Sequence, residues 1–321
     1  MNEIMKIVLL EPLGISDTEL GKLSARLTAQ GHQFVAYDTV ETSEEGLIQR
    51  AKDADILMLA NHPLSDNVIR ACSRLKYISV AFVGIDHIGQ AACVERSIPV
   101  SNAASYCTHA VAELAVGLCL DCLRNISTCN QVIRAGGTKT GLVGHQLFGR
   151  TVGIIGTGAT GCHTAQLFKA FGCRVLGFSR REREEAKAIG IEYTSLEALL
   201  RESDIVSLHT PLTAETRNLL DDKRIAMMKP SAIIINTARG GIVDSAAAAA
   251  ALNEGRLAAM GTDVFETEPP LPEDHPLLHA AHVVATPHVA FATEESLQNR
   301  ARITFDNVYA WLNGVVQNRM I

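Results

Sequence analysis

Paired cysteine ligands and long apolar runs are both missing from this sequence. Its 8 cysteines include one Cys-x-x-Cys, formed by Cys119 and Cys122, and no second pair follows it. Small core residues on a helix explain such a pair better than a metal site or a disulfide framework does, so we predict no metal. The longest apolar stretch, residues 110–123, is interrupted by Glu113 and Asp121 and is too short to cross a bilayer. We therefore expect no membrane partner.

An excess of positive charge is also missing. The formal net charge is −6, which gives no large basic field for phosphate backbones, so we expect no nucleic-acid partner. The N-terminal residues 1–10 form a short apolar run with one lysine and without a small-residue cleavage site. This run favours a first strand over a signal peptide, and we expect a cytoplasmic protein. With 321 residues, the chain exceeds the usual size of one domain.

Strand and helix patterns alternate in two successive halves of the chain. In the first half, strands are predicted at Lys6–Leu10, Gln33–Tyr37, Asp55–Ala60 and Tyr77–Ala81, with helices at Asp17–Gln30, Glu44–Lys52 and Asp66–Cys72. A long helix is then predicted from Thr108 to Arg134. Alternation of this kind is typical of βαβ units and predicts a parallel sheet.

The alternation restarts after the glycine-rich residues 136–149. The predicted strands are Thr151–Ile155, Arg174–Phe178, Ile205–Leu208, Ile233–Asn236, Met260–Val264 and Val283–Ala285, and the predicted helices are Leu196–Glu202 and Ser245–Asn253. A final helix with an apolar face, Thr293–Leu312, can return to the first half of the chain. The sequence therefore predicts an α/β protein with two domains.

A glycine turn follows the strand that opens the second half. It has the pattern Gly-x-Gly-x-x-Gly and consists of Gly156, Thr157, Gly158, Ala159, Thr160 and Gly161. In such a turn the first glycine makes the tight bend, the second lets the backbone approach a pyrophosphate, and the third lets the helix pack on the strand. Because the pattern lies between a predicted strand and a predicted helix, it predicts a dinucleotide site.

The residues after the next strand indicate which dinucleotide binds. An acidic residue there would bind the adenosine ribose hydroxyls, but the sequence has Ser179, Arg180 and Arg181. A hydroxyl and two guanidinium groups suit a 2′-phosphate, so we predict that NADP is preferred over NAD. The alternative is a solvated basic helix start, since Glu182 and Arg183 continue the charged run.

Polar segments follow the later strands of the second half. They are Asn236–Gly241, Asp263–Pro269 and Thr286–His288. Open parallel sheets build their sites at these strand ends. An arginine, a carboxylate and a histidine together can bind a carboxylate and donate a proton to a carbonyl, as the reduction of a 2-keto acid requires.

Taken in order, these motifs resemble the D-isomer-specific 2-hydroxyacid dehydrogenase family over nearly the whole chain. The segments that carry the resemblance are Phe82–Ile88, Val111–Glu113, Gly156–Gly161, His209–Thr213, Asn236–Gly241, Asp263–Pro269 and Thr286–His288. The resemblance implies a Rossmann dinucleotide-binding domain, residues 103–289, inserted in a flavodoxin-like substrate-binding domain, residues 1–102 plus 290–321. It also implies a homodimer, formed through the cofactor domain and the long helix before it.

The resemblance also implies roles for individual residues. His288 is the general acid and base, Glu268 is its hydrogen-bonded partner, and Arg239 binds the substrate carboxylate. Further cofactor contacts are implied at His209, Thr210, Pro211, Thr216, Thr237, Ala238, Arg239, Asp263 and His288, with Asp263 near the nicotinamide end. Substrate contacts are implied at Asn61, Phe82, Val83 and Gly84, together with Arg239 and His288.

Departures from the family pattern bear on the substrate. Phe82 either adds apolar bulk to the pocket rim or packs beneath its loop, and Asn61 stands where phosphoglycerate-specific relatives place arginines. The run from Thr286 to Glu295 is similar to glycerate dehydrogenase and hydroxypyruvate reductase members. We therefore expect hydroxypyruvate or glyoxylate as the substrate. The alternatives are a bulkier apolar 2-keto acid, a D-3-phosphoglycerate dehydrogenase-like reaction, and a corepressor-like protein that senses NAD(P).

Overall fold

A computed structural model of the chain describes residues 3–268 and 270–321, so Pro269, the last residue of the predicted Asp263–Pro269 motif, lies outside the described residues. The chain divides into two compact units. Unit 1 comprises Met1–Cys107 and Ala292–Ile321, and unit 2 comprises Thr108–Phe291. Both crossings between the units fall a few residues after the boundaries expected from the sequence.

Unit 1 contains a parallel sheet of five strands with helices between them. The strands are β1 (Lys6–Leu9), β2 (Gln33–Ala36), β3 (Ile56–Leu59), β4 (Tyr77–Val80) and β5 (Val100–Ser101), and the helices are α1 (Asp17–Ala29), α2 (Glu44–Ala51), α3 (Asp66–Ala71) and α4 (Gln90–Glu95). The strand order is β2-β1-β3-β4-β5, which is the flavodoxin-like order that was predicted. Strands β3 and β4 are buried along their whole length, so the core lies on both faces of the sheet.

The last helix of the chain belongs to unit 1. Helix α13 (Glu294–Leu312) begins at Thr293, whose side chain accepts a hydrogen bond from the Ser296 amide at 3.2 Å. The Ser79 hydroxyl of β4 donates to the Thr304 carbonyl at 3.0 Å, and Phe305 is fully buried. The apolar face of α13 therefore packs against one face of the sheet, as the amphipathic pattern of the C-terminal residues predicts.

Unit 2 contains a parallel sheet of seven strands. The strands are β6 (Thr151–Ile155), β7 (Arg174–Phe178), β8 (Glu192–Tyr193), β9 (Ile205–Leu208), β10 (Ile233–Asn236), β11 (Ala259–Thr262) and β12 (Val283–Ala285). The helices are α5 (Thr108–Arg124), α6 (Ile126–Arg134), α7 (Ala159–Ala170), α8 (Glu184–Ala188), α9 (Leu196–Glu202), α10 (Asp222–Ile225), α11 (Ser245–Asn253) and α12 (Pro276–His279). The order β12-β11-β10-β9-β6-β7-β8 reverses its direction at β6 and β9, as a Rossmann sheet does.

The prediction of one helix from Thr108 to Arg134 was wrong. Asn125 lies in the left-handed region at φ +55° and separates α5 from α6. The Asp121 carboxylate accepts from the Ser127 amide at 2.9 Å and from the Ser127 hydroxyl, which stabilises the bend. Asparagine tolerates this backbone conformation better than most residues, and aspartate competes well for nearby backbone groups.

Cys119 is buried in the core of unit 2, and burial raises the pKa of the neighbouring Cys122 thiol to about 12. No helix within residues 3–268 and 270–321 has the length and apolar character that a membrane crossing needs.

Candidate active site

The glycine turn is built as its sequence pattern requires. Gly156 has φ +98°, and a Cβ atom there would lie 2.4 Å from the His209 carbonyl oxygen. A Cβ at Gly161 would lie 1.9 Å from the Gly156 carbonyl oxygen, so the first turn of α7 touches the end of β6. By contrast, a Cβ at Gly158 would meet nothing within 4 Å. The backbone at Gly158 therefore faces open space at the start of a twelve-residue helix.

A cleft of about 570 Å³ runs along this turn within unit 2. Its lining comes from the carboxyl ends of β6, β7 and β9, from the loops that follow them, and from the start of α9. The residues predicted from the sequence that line it are Gly156, Thr157, Gly158, Ser179, Arg180, His209, Thr210, Pro211 and Thr216. The loops after β6 and β9 run in opposite directions from the topological switch point of the sheet, and the cleft lies between them.

The basic end of the cleft differs in detail from the prediction. Arg180 and Arg183 line both the cleft and an adjoining outer pocket of about 510 Å³. Arg181 lines the outer pocket and, among the described residues, is not part of the cleft wall. Arg183 was not predicted at the cleft, because its place in a charged run is also typical of a solvated helix start. The hydrogen bond from Thr213, together with the charge of Arg180, lowers the pKa of Glu215 at the same end.

The far wall of the cleft is a short segment after β9. The His209 ring is 2.8 Å from the Ser207 hydroxyl, and desolvation lowers the pKa of the imidazole to about 4. His209 is therefore neutral in the physiological range and does not bring a positive charge to the phosphates. The Thr216 hydroxyl donates to the Pro211 carbonyl at 2.6 Å and accepts from the Thr213 amide at 2.7 Å, which fixes the loop.

The arginine loop follows β10 at the same edge of the sheet. The buried Asn236 side chain accepts from the Ala238 amide at 3.1 Å and donates to the Arg239 carbonyl at 3.0 Å. The Arg239 guanidinium donates to the Ala238 carbonyl at 2.8 Å. A Cβ at Gly240 would lie 1.8 Å from the Phe265 backbone, so this loop packs directly against the next one. The backbone of Arg239 is thus fixed by Asn236, which precedes it, and by the contact of Gly240 with the loop that carries Phe265.

Asp263 holds the histidine loop, and this role was not predicted. Its carboxylate is fully buried and accepts from the Thr286 hydroxyl at 2.6 Å and from the Val289 and Ala290 amides at 2.8 Å. The His288 amide donates to the Asp263 carbonyl at 2.8 Å. The resemblance implied a cofactor contact for Asp263, whereas its side chain has no exposed surface. The Asp263 carboxylate fixes the segment that carries His288, and its predicted cofactor contact stays a prediction.

His288 and Glu268 form a close pair. The His288 Nδ1 atom lies 2.9 Å and 2.8 Å from the two Glu268 carboxylate oxygens. The His288 backbone lies in the left-handed region at φ +56°, which is unusual for a residue other than glycine. The Phe291 ring meets the imidazole edge to face, with 5.8 Å between the ring centroids. Strain, a carboxylate partner and an aromatic neighbour fix one orientation of the imidazole.

A second histidine and carboxylate pair supports the segment that carries Glu268. The His275 Nε2 atom lies 3.1 Å from Glu266, and the Ser245 hydroxyl donates to the other oxygen of that carboxylate at 2.5 Å. Burial alone would raise the pKa of Glu266, but the bonds from Ser245 and His275 leave it below its ordinary value. The Phe265 ring packs edge to face on His275 at 5.4 Å. Ser245 and His275 lie outside the sequence motifs that predicted the site.

In unit 1, the candidate substrate loop follows β4. Phe82 is 8% exposed and packs against Tyr106 and His87, so it lies beneath its loop rather than at a pocket rim. The Phe82 carbonyl accepts from the Ala103 amide at 2.9 Å, and the Val83 carbonyl accepts from the Asn102 side chain at 2.7 Å.

The amides of that loop suit an anion. The N–H groups of Val83 and Gly84 donate to no atom of the described residues. Asn61 follows β3 at the same sheet edge and is exposed. Successive backbone N–H groups of this kind bind carboxylates and phosphates.

The residues of unit 2 fit a bound dinucleotide. Among the described residues, the Thr237 hydroxyl is buried without a hydrogen-bond partner, between Asn236 and the arginine loop. The start of α7 at Gly158 takes no side-chain cap within the described residues, so its amides suit a pyrophosphate. Arg180 and Arg183 add positive charge at one end of the cleft. A bound dinucleotide would fill the open space at Gly158 and give hydrogen-bond partners to the amides at the start of α7 and to the Thr237 hydroxyl.

Comparison with known proteins gave consistent matches. Residues 116–290 match the family described as D-isomer specific 2-hydroxyacid dehydrogenase, NAD binding domain. A glyoxylate reductase of Aeropyrum pernix is 39% identical over 287 residues, which are 86% of this chain and 85% of that protein. The solved structure of the TT0316 protein from Thermus thermophilus gives a TM-score of 0.88 at 32% identity, over 99% of this chain and 100% of that one. An acyclic imino acid reductase in complex with NADPH and D-Arg gives 0.87 at 27% identity, with coverage of 99% and 100%.

Proposed function

The chain belongs to the D-isomer-specific 2-hydroxyacid dehydrogenase family, and from that premise we propose that it reduces glyoxylate or hydroxypyruvate to the 2-hydroxy acid with NADPH preferred over NADH. The observation that carries this proposal is the His288–Glu268 pair, held by Asp263 at the same sheet edge as the glycine turn. An oxidoreductase of this kind needs a proton donor and a carboxylate-binding cation beside its dinucleotide.

The proposed chemistry divides between the dinucleotide and the side chains. The reduced nicotinamide supplies the hydride. His288 donates the proton to the keto oxygen, and because Nδ1 is bonded to Glu268, the transfer is assigned to Nε2. Arg239 binds the substrate carboxylate through its guanidinium, a geometry that suits two parallel hydrogen bonds. In the oxidative direction the same histidine accepts the proton from the hydroxyl group.

Charge at the end of the cleft supports NADPH. Ser179, Arg180 and Arg183 offer a hydroxyl and two guanidinium groups where an acid would bind the ribose of NADH. Arg181 lines the outer pocket and contributes long-range attraction rather than a contact. The matching imino acid reductase structure contains NADPH. We propose that Arg180 and Arg183 bind the 2′-phosphate of NADPH.

A small substrate is the choice that the relatives favour. The matching protein of Aeropyrum pernix is named for glyoxylate. Asn61 carries no charge for a substrate phosphate, which speaks against a phosphorylated substrate. We propose glyoxylate or hydroxypyruvate rather than 3-phosphohydroxypyruvate.

We also propose that the protein is a homodimer. Among the described residues, no side chain of α6 is buried. This leaves two apolar side chains of the helix, Ile126 and Ile133, 53% and 68% exposed. These residues are seven positions apart, so they share one helix face. A second copy of unit 2 would cover this face. Sedimentation of Ile133→Asp should then give a monomer, whereas Ile4→Asp, in unit 1 and equally exposed at 68%, should stay dimeric.

The reaction assignment is tested by His288→Ala. Loss of a positioned proton donor should lower kcat by about 10²–10⁴-fold. The Kd for NADPH should change by less than about three-fold, since the glycine turn is untouched. His145→Ala is the matched control, because His145 is exposed and should keep full activity. Turnover of His288→Ala within a few-fold of the wild type would refute the assignment.

A further inference from the structure

The segment that carries the cleft arginines is fixed at both of its ends. At its start, the Gly156 amide donates to the Phe178 carbonyl at 2.8 Å. At its end, the Arg183 amide donates to the Tyr193 hydroxyl oxygen at 3.1 Å. The backbone from Phe178 to Arg183 is therefore a short loop between two anchors. An anchored loop loses less conformational entropy when it binds a ligand than a mobile one does.

The Tyr193 hydroxyl also contacts the glycine turn. Its oxygen lies 2.6 Å from the Thr157 hydroxyl, and Thr157 is fully buried. The hydroxyl of Tyr193 can donate to Thr157 while it accepts from the Arg183 amide. The Tyr193 hydroxyl thus links the glycine turn to the loop from Phe178 to Arg183.

The local fold explains why the ring reaches this place. Tyr193 is the second residue of the two-residue edge strand β8, and it is paired with Gly177 of β7. A Cβ at Gly177 would lie 2.4 Å from Ile191 and 3.3 Å from the Thr157 methyl group. The tyrosine ring lies beside Gly177, 3.8 Å from the position of such a Cβ, and its hydroxyl reaches both Thr157 of the glycine turn and the Arg183 amide.

We infer that Tyr193 is a positioning residue for cofactor selectivity, because its hydroxyl holds Arg183 in register with the glycine turn. The inference rests on the proposed preference for NADPH. Arg183 touches the phosphate, and Tyr193 acts through it. Loss of the hydroxyl weakens the binding of NADPH more than that of NADH, since NADH has no 2′-phosphate for the segment to meet.

The test compares KM values for the two cofactors in Tyr193→Phe, which keeps the ring. Loss of one anchoring hydrogen bond should raise the KM for NADPH by about three- to ten-fold more than the KM for NADH. The value of kcat should change by less than about two-fold, because the proton donor is untouched. Tyr37→Phe, in unit 1 and outside the cleft lining, is the control and should leave both KM values unchanged.

Two further variants separate selectivity from a general structural effect. Thr157→Val removes the other partner of the tyrosine hydroxyl but keeps the Arg183 bond, so it should raise both KM values by a similar factor. In Arg183→Ala, the additional Tyr193→Phe change should alter the NADPH/NADH selectivity by less than about two-fold, because the residue through which Tyr193 acts is gone.

The outcomes distinguish this inference from the proposed function. If Arg183→Ala leaves the KM for NADPH unchanged, the assignment of the phosphate site is wrong and the inference falls with it. If Arg183→Ala raises that KM but Tyr193→Phe raises both KM values equally, only the role of Tyr193 is wrong. Independent, multiplying effects of Arg183→Ala and Tyr193→Phe on selectivity would likewise overturn it.

Discussion

The buried carboxylate of Asp263 gives the sharpest prediction, through the substitution Asp263→Asn. The carboxylate offers two acceptor atoms to three donors, the Thr286 hydroxyl and the amides of Val289 and Ala290. An asparagine keeps one acceptor oxygen and places an NH₂ group at the other position. In either orientation of the amide, one backbone N–H of the histidine loop faces another N–H group.

The expected loss follows from that count. A buried polar group without a partner costs about 1–3 kcal/mol, and two such groups arise, so the loop is weakened by about 2–6 kcal/mol. The histidine backbone at φ +56° adds a tendency to relax, since such strain is worth about 1–3 kcal/mol. We expect His288 to leave its working position and kcat to fall at least about thirty-fold.

The assay is steady-state turnover of glyoxylate with NADPH, combined with a fluorescence titration of NADPH binding. Asp244→Asn is the matched control, because Asp244 caps α11 through one bond to the Ala247 amide at 3.0 Å. Asparagine caps helices as well as aspartate does, so this variant should keep wild-type kcat. A folded Asp263→Asn enzyme with kcat within three-fold of the wild type would show that the loop does not depend on this carboxylate.

Three other predictions concern unit 2. In Gly161→Ala, the new methyl group would lie 1.9 Å from the Gly156 carbonyl oxygen, so NADPH binding should weaken at least about ten-fold in a fluorescence titration, and unchanged affinity would contradict the packing argument. Because folding lowers the pKa of His209 from 6.5 to about 4, the unfolded chain binds more protons between these values, and stability falls as the pH drops through this window. The loss should reach about 3 kcal/mol at pH 4 in urea titrations, and His209→Gln should lack that part of the pH dependence. Arg180→Ala should raise the KM for NADPH about ten-fold and Arg181→Ala less than two-fold, and equal effects would contradict the different placement of the two side chains.

Features with a local cause could be predicted from the sequence. The strands Thr151–Ile155 and Arg174–Phe178 have the bounds that their apolar runs indicate. The glycine turn was recognised because its pattern lies between a strand and a helix, and at Gly156 and Gly161 a side chain would collide with the backbone. The alternation of strands and helices predicted the parallel sheets, and the family resemblance implied their flavodoxin-like and Rossmann strand orders.

Features that depend on distant contacts could not be predicted. The break at Asn125 is stabilised by the hydrogen bond from the Ser127 amide to the Asp121 carboxylate. A helical pattern in the sequence does not reveal this bond. The role of Asp263 depends on its complete burial and on its bonds to residues 23 to 27 positions later, which the sequence pattern does not reveal. Arg183 belongs to the cleft because of the direction that the chain takes after Phe178.

The most direct test of the central claim is the rate of NADPH and NADH oxidation with glyoxylate, hydroxypyruvate, pyruvate, phenylpyruvate and 3-phosphohydroxypyruvate. We predict rapid oxidation with glyoxylate or hydroxypyruvate and a clear preference for NADPH. Activity with NADH alone would contradict the role of Arg180 and Arg183 but leave the reaction class intact. The absence of oxidation with every 2-keto acid, despite measurable NADPH binding, would contradict the proposed enzyme and favour a protein that senses the dinucleotide.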